Sequence, residues 1–281
     1  WFPTASFSRP KEQSSYCETC GVADFAILAV KLCNAGLGDY WDDVDYYVRN
    51  QLIEQQFNDL EKMRKYSGSD ARFDPLLERM LGGFGLADTT VNGYCYTDWW
   101  PQVVTGCCSP NGSLALYYIW HGITQYDQGV ATVNLLLNRA SAWMDIDSYL
   151  PYEGKVVLHN KTAHTASVRM PHWVDLKKVR CAVGGREVKP AVSGRYLLVL
   201  NLKAGDEITL EFPVPEYKND NYTIYGVKYN ISYRGSTIVD IEPRFADKTR
   251  YPLYERDHLK SGQAPMHKIQ RFVAEKIIPL P

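Results

Sequence analysis

The stretch GCCSPNGSLALYYIWHGITQYDQGVATVNLLL, residues 106–137, is where the chain changes character. Its first part predicts a helix. Ser109 is a good cap and Pro110 suits the first helical position, and Leu114, Leu116, Tyr117, Ile119, Trp120 and Ile123 carry the apolar pattern onward. After Gly129 the period drops to two, and residues 130–137 open a series of short strands. The pattern is therefore helical before this stretch and β after it.

Upstream, Val22, Phe25, Ala26, Ala29, Val30 and Leu32 predict a helix from Thr19 that stops at Gly36-Leu37-Gly38. Asp39 is placed to cap a second helix, with Trp41, Val44, Val48, Leu52 and Ile53 as its buried stripe. Residues 66–104 have weak periodicity and hold the polar-aromatic run from Gly93 to Pro101, and an excursion of that length is usually functional. Downstream, strands are expected at 155–159, 167–170, 179–183, 196–202 and 207–212, with turn signals at 152–154, 184–185 and 204–206. Such spacing indicates an antiparallel sandwich. Residues 222–233 and 236–241 add two further strands, so the expected division is helical over 1–125 and β over 126–281.

Lysine and arginine number 31 against 32 acidic residues, and no block of like charge marks an arm for nucleic acid or a membrane surface. No apolar run approaches the roughly 18 residues that a membrane span needs. Trp1-Phe2-Pro3 lacks the layout of a signal peptide and reads as a cut rather than a beginning. The 20 tyrosines and 7 tryptophans suit surfaces that stack on sugar rings, or simply a core. Seven cysteines, at 17, 20, 33, 95, 107, 108 and 181, are an odd number in a chain long enough to need no covalent staples. Metal or nucleophile chemistry in a reducing, cytoplasmic setting is the expectation.

Two cysteine motifs open helices: Cys17-Glu18-Thr19-Cys20 and Gly106-Cys107-Cys108-Ser109-Pro110-Asn111. Unpaired amides and the helix dipole stabilise anions there, which favours thiolate and a borderline cation such as zinc. On residue types alone a metal site stands beside two alternatives, an oxidised Cys17–Cys20 pair and cysteines that merely pack. Within a metal site, Cys17 and Glu18 compete for the fourth position.

Glu-Thr-Cys at one helix start, Cys-Cys-x-x-Asn at another and a following β-sandwich together resemble the β-L-arabinofuranosidase family of glycoside hydrolases. The resemblance implies the remnant of an (α/α)6 barrel followed by an antiparallel β-sandwich. It implies zinc held by Glu18, Cys20, Cys107 and Cys108, with Cys107 also the nucleophile of a retaining mechanism on a non-reducing-end sugar, by default L-arabinofuranose. The family's general acid/base lies a loop upstream of Glu-Thr-Cys, at or before Trp1, and Glu12 reads as a solvated loop residue. The chain is thus expected to lack that acid and to be the C-terminal portion of a longer enzyme. Trp99 and Trp100 are candidate stacking platforms for the sugar. The chain departs from the family with Ser109 in place of the first proline of Cys-Cys-Pro-Pro-Asn, and with Thr105 in place of a histidine. The competing class is a non-catalytic carbohydrate-binding or scaffold module in which zinc only ties helices together. A redox protein built on Cys17-x-x-Cys20 is disfavoured, because no βαβ pattern surrounds that motif.

Overall fold

The computed structural model describes residues 16–66, 74–85, 87–88, 94–95, 106–224, 227–244, 251–252, 254–265, 267, 270 and 273. They form two compact units, one of residues 1–117 with 216–257 and the other of 118–215 with 258–281; the boundary falls inside a helix. Among the described residues no helix is long and apolar enough to cross a membrane.

The first unit begins with the short strand β1 (Tyr16–Cys17), followed by α1 (Thr19–Asn34) and α2 (Trp41–Tyr47). Val22, Ala26, Ala29 and Val30 of α1 are buried as the pattern predicts, whereas Phe25 lies half exposed and stacks on Tyr47 of α2 at 6.2 Å. The second helix is not the single element expected to run to Ile53. It gives way to a π-helical turn (Val48–Leu52) and a 3-10 turn (Ile53–Gln55). Each π turn takes more residues than an α turn, so the apolar stripe is carried round and Ile53 emerges 45% exposed. α3 (Leu60–Tyr66), α4 (Asp74–Met80), β2 (Ala87–Asp88) and β3 (Tyr94–Cys95) follow, and then α5 (Cys108–Ile123). The last helix starts one residue before the expected cap.

The second unit holds ten strands: β4 (Thr124–Asp127), β5 (Val130–Val133), β6 (Met144–Ser148), β7 (Lys155–Asn160), β8 (Thr165–Arg169), β9 (Arg180–Val183), β10 (Arg186–Val188), β11 (Ala191–Ser193), β12 (Tyr196–Leu200) and β13 (Glu207–Glu211). They make two five-stranded sheets, ordered β10-β9-β13-β7-β6 and β11-β12-β8-β5-β4. Alternate residues are buried, as with Ile208 and Leu210 in β13 or Ala131 and Val133 in β5. The expected antiparallel pairing holds throughout these two sheets except between β5 and β8, which run parallel. Arg139, 4% exposed, caps the end of α5 by donating through Nη1 to the carbonyls of Trp120, His121 and Thr124.

The chain then returns to the first unit. β14 (Glu216–Ile224), β15 (Val227–Arg234) and β16 (Thr237–Glu242) form an antiparallel sheet, and β17 (Tyr251–Pro252) pairs with β3. The single strand expected across 222–233 is thus parts of two. A buried polar network ties this segment to the π turn. Arg256 donates to Glu54 Oε1 at 2.6 Å, to the Ile238 carbonyl at 2.7 Å and to the Arg49 carbonyl at 2.7 Å. The Tyr254 hydroxyl donates to the Asn50 carbonyl at 2.9 Å. A π turn interrupts the regular i→i−4 ladder, and these side chains satisfy two of the carbonyls within it.

Candidate metal and active site

Glu18, Cys20, Cys107 and Cys108 come together, with one ligand atom from each lying within 4.8 Å of all the others. Two helix starts deliver them. The Glu18 carbonyl accepts the first bond of α1 from the Val22 N–H at 3.2 Å, so Glu18 is the cap residue, and its side chain makes no capping bond that would compete with metal binding. In α5 the Cys107 carbonyl accepts from the Asn111 N–H at 3.2 Å, which makes Cys107 the cap and Cys108 the first helical residue. Both helices are 16 residues long. Two positive dipole ends and two sets of first-turn amides therefore meet at the one cluster, which suits an anionic assembly.

Two sulfur–sulfur distances match the edges of a tetrahedral site. Cys20 Sγ lies 3.8 Å from Cys108 Sγ, and Cys107 Sγ lies 4.0 Å from Cys108 Sγ. Four Zn–S bonds of about 2.3 Å give tetrahedral edges of about 3.8 Å. The donor set fits as well, since three soft sulfurs and a carboxylate are a borderline ion's ligands. Burial pushes the Cys20 thiol up to about 12; the hydrogen bond from Asn111 pulls the other way, and the neighbouring cysteines push it up further. The helix dipole alone does not make Cys20 a thiolate: with its thiol pushed up by burial and by neighbouring sulfurs, a cation would be needed to draw off its proton.

A third segment holds the two helix starts in place. Thr19, fully buried, donates its hydroxyl to the Gly85 carbonyl at 2.5 Å. The Phe84 N–H donates to Ser109 Oγ at 3.0 Å, and the Phe84 ring lies against Gly112. Ser109 thus spends its hydroxyl on Phe84 rather than on the capping role expected of it. Asn111, on the same helix, hydrogen-bonds the Cys20 sulfur across to α1. With a metal bound, residues 84–85 and Asn111 would stand as the supporting shell that orients its ligands.

Burial separates the four residues. Cys108 is fully buried and Glu18 and Cys20 are intermediate, whereas Cys107 is exposed. Cys20 is a free thiol that lies with Glu18, Cys107 and Cys108. Trp99, Trp100, Thr105 and Glu12 lie outside the described residues. His159, far along the chain, pairs with Asp147 at 2.9 Å and has no part in the cluster.

The same architecture occurs in solved glycosidases. A GH127 β-L-arabinofuranosidase from Geobacillus stearothermophilus T6 superposes with a TM-score of 0.51 at 17% identity, over 80% of this chain and 36% of that one. The chain shares the fold of these enzymes. A further GH127 β-arabinofuranosidase gives 0.51 at 16% identity over 82% and 38% of the two chains, and a structure described as a glycoside hydrolase gives 0.53 at 16% over 82% and 39%. The chain spans less than two fifths of the length of each of these structures. No protein-family model and no curated protein matches the sequence.

The two motifs offered these four residues together with Cys17, and the resemblance to the family picked out the four that the fold brings together. The contributions of Thr19, Phe84, Ser109 and Gly112 were not readable, because each acts through a partner 25 or more residues away. Asn111 carried one local signal, its place one helical turn after Cys107.

Proposed function

We propose that this chain carries the metal-and-nucleophile part of a retaining glycoside hydrolase that releases a non-reducing-end sugar, with L-arabinofuranose the default substrate. The observation that carries the reading is the convergence of Glu18, Cys20, Cys107 and Cys108, with Cys107 the exposed one. The fold shared with GH127 β-L-arabinofuranosidases supports it.

Zinc bound by the four residues would supply the positive charge that keeps the thiols deprotonated at neutral pH. Three thiolates and a carboxylate around a divalent ion leave a net charge of about −2, so sulfur keeps its nucleophilicity. Cys107 Sγ then attacks the anomeric carbon as the bond to the leaving oxygen breaks, and a general acid protonates that oxygen. Water next displaces sulfur from the anomeric carbon and gives its proton to the acid of the first step, now its conjugate base. The thiolate is restored, and the sugar leaves with retained configuration. The role of Cys108 and Cys20 is to hold Cys107, and that of Asn111 is to orient Cys20.

A closed four-ligand site is the usual form of a structural zinc, which is the second reading. Exposure of Cys107 favours the first. The test is zinc per chain by elemental analysis on protein purified under reducing conditions, together with the order in which iodoacetamide modifies the cysteines after chelation. About one zinc is expected, lost or weakened in both Cys107→Ala and Glu18→Ala, with Cys107 alkylated first and protected by added zinc. Zinc that survives both substitutions, or a Cys107 that reacts no faster than buried Cys108, overturns the proposal.

A further inference from the structure

The first unit contains a cleft that none of Glu18, Cys20, Cys107 and Cys108 lines. The cleft, of about 320 Å³, lies between α2 with its π turn and the sheet β14-β15-β16. Tyr46, Tyr217, Tyr222 and Tyr233 contribute to its walls, with Asp43 and Asn219 among the polar groups. Its volume is at the lower end of the roughly 300–1,000 Å³ usual for small-molecule sites.

The sheet places these side chains through an irregularity. Tyr217 pairs with Tyr233 and Asn219 with Ile231, so these positions share one sheet face. In a regular strand Tyr222 would fall on the opposite face from Tyr217 and Asn219, because successive side chains alternate. An extra residue in β14 between Asn219 and Tyr222 shifts the register, and Tyr222 then pairs with Tyr229 on the same face as Tyr217. Bulges re-aim side chains in this way beside binding sites.

The chemistry of the walls selects a ligand. Tyr217 and Tyr233 stack with centroids 4.8 Å apart and planes 6° from parallel. Tyr233 is 9% exposed and Tyr217 is 42% exposed, so the pair is a platform with a buried base and a solvent-facing top. Two parallel rings make a flat surface rather than the box of walls that encloses a quaternary ammonium ion. Among the described residues no lysine or arginine lines the cleft, which disfavours phosphate, sulfate and carboxylate ligands. Burial, with the hydrogen bond between them, raises the Tyr46 hydroxyl well above its ordinary range in the presence of Tyr217, and burial pushes Tyr233 up to about 12. The Tyr46 and Tyr233 phenols therefore stay neutral, able to donate and accept. The polar groups that remain, phenol hydroxyls, an amide and the Asp43 carboxylate, match a ligand that is rich in hydroxyls and presents a flat C–H face.

We propose that this cleft is a carbohydrate-binding site. It takes a neutral saccharide whose ring stacks on the Tyr217 platform while its hydroxyls bond to Asp43, Asn219 and the Tyr222 hydroxyl. The proposal stands on the cleft alone and does not depend on the zinc reading.

The test is isothermal titration of the intact chain with arabinobiose, xylobiose and cellobiose, and with choline as the cationic control. It is repeated on Tyr217→Ala, Tyr222→Ala and Tyr217→Phe, with zinc per chain and the urea midpoint measured on the same preparations. At least one disaccharide is expected to bind, about three- to tenfold more weakly to each alanine variant and nearly unchanged to Tyr217→Phe, which keeps the ring. The alanine variants keep the parent's zinc content and midpoint, so failure here is distinct from failure of the metal site. No disaccharide binding by the parent, binding unaltered in both alanine variants, or choline bound in preference would each overturn the proposal.

Discussion

Gly21 and Gly112 lie near the starts of the two helices that bring the ligands together, yet alanine should act oppositely at the two places. A Cβ on Gly21 would meet nothing within 4 Å. Gly21→Ala therefore gains helix propensity without obstruction, a stabilisation of up to about 1 kcal/mol. A Cβ on Gly112 would lie 2.6, 2.7 and 2.8 Å from Cγ, Cδ2 and Cδ1 of Phe84, well inside ordinary contact at 3.4–4 Å. Those atoms are the root of the ring rather than its free end. Phe84 is also fully buried, with its N–H held by Ser109, so the ring cannot swing aside cheaply. Overpacking of this kind costs about 1–3 kcal/mol. Set against the same propensity gain of about 1 kcal/mol, and with a contact this short, Gly112→Ala should lose about 1–2 kcal/mol. The strain falls on the contact that positions Cys108, so zinc affinity should drop about 10- to 100-fold, as for other supporting-shell changes, while Gly21→Ala leaves it within a few-fold. Urea unfolding in the presence of a chelator reads the stability, and competition with a chromophoric chelator reads the affinity. A Gly112→Ala protein as stable as the parent with unchanged zinc affinity would refute the reasoning that residues 84–85 clamp the site.

Burial in the sheet pushes the Cys181 thiol from 9.0 up to about 11, and Tyr233 rises from 10.0 to about 12. Unfolding restores ordinary values, so above about pH 9 the unfolded chain loses these protons first. The urea midpoint should hold level up to there and fall as pH rises towards 11, less steeply in Cys181→Val; a midpoint flat to pH 11 would contradict this. Arg256, 3% exposed, is bonded to Glu54 and to the Ile238 and Arg49 carbonyls, so Arg256→Ala should cost about 3–5 kcal/mol in urea unfolding. Arg64→Ala, which breaks exposed pairs with Glu61 and Glu78, should cost no more than about 1 kcal/mol, and equal effects from the two would show that the network does not anchor the returning segment.

How much could be read in advance follows from which forces are local. Strands such as β12 and β13 were legible because one buried face imposes a period of two on the residues themselves. β10 and β11 were not, since they are three residues long and lie mostly at the surface, where burial imposes no pattern. The helix after Asp39 was legible only to the π turn. A stripe extrapolated at 3.6 residues per turn loses its phase there, and the turn's carbonyls are satisfied by Tyr254 and Arg256, about 200 residues later. The ligand set follows the same logic one level up. Glu18 with Cys20, and Cys107 with Cys108, are short motifs whose donors reach one point because each pair sits at a helix start. What makes the two starts meet is a pair of contacts to residues 84–85, spanning 66 and 25 positions, from a stretch with no periodicity of its own. Spacing within a motif can therefore name ligands, but the precision of a metal site depends on a supporting segment whose role appears only once the chain is folded.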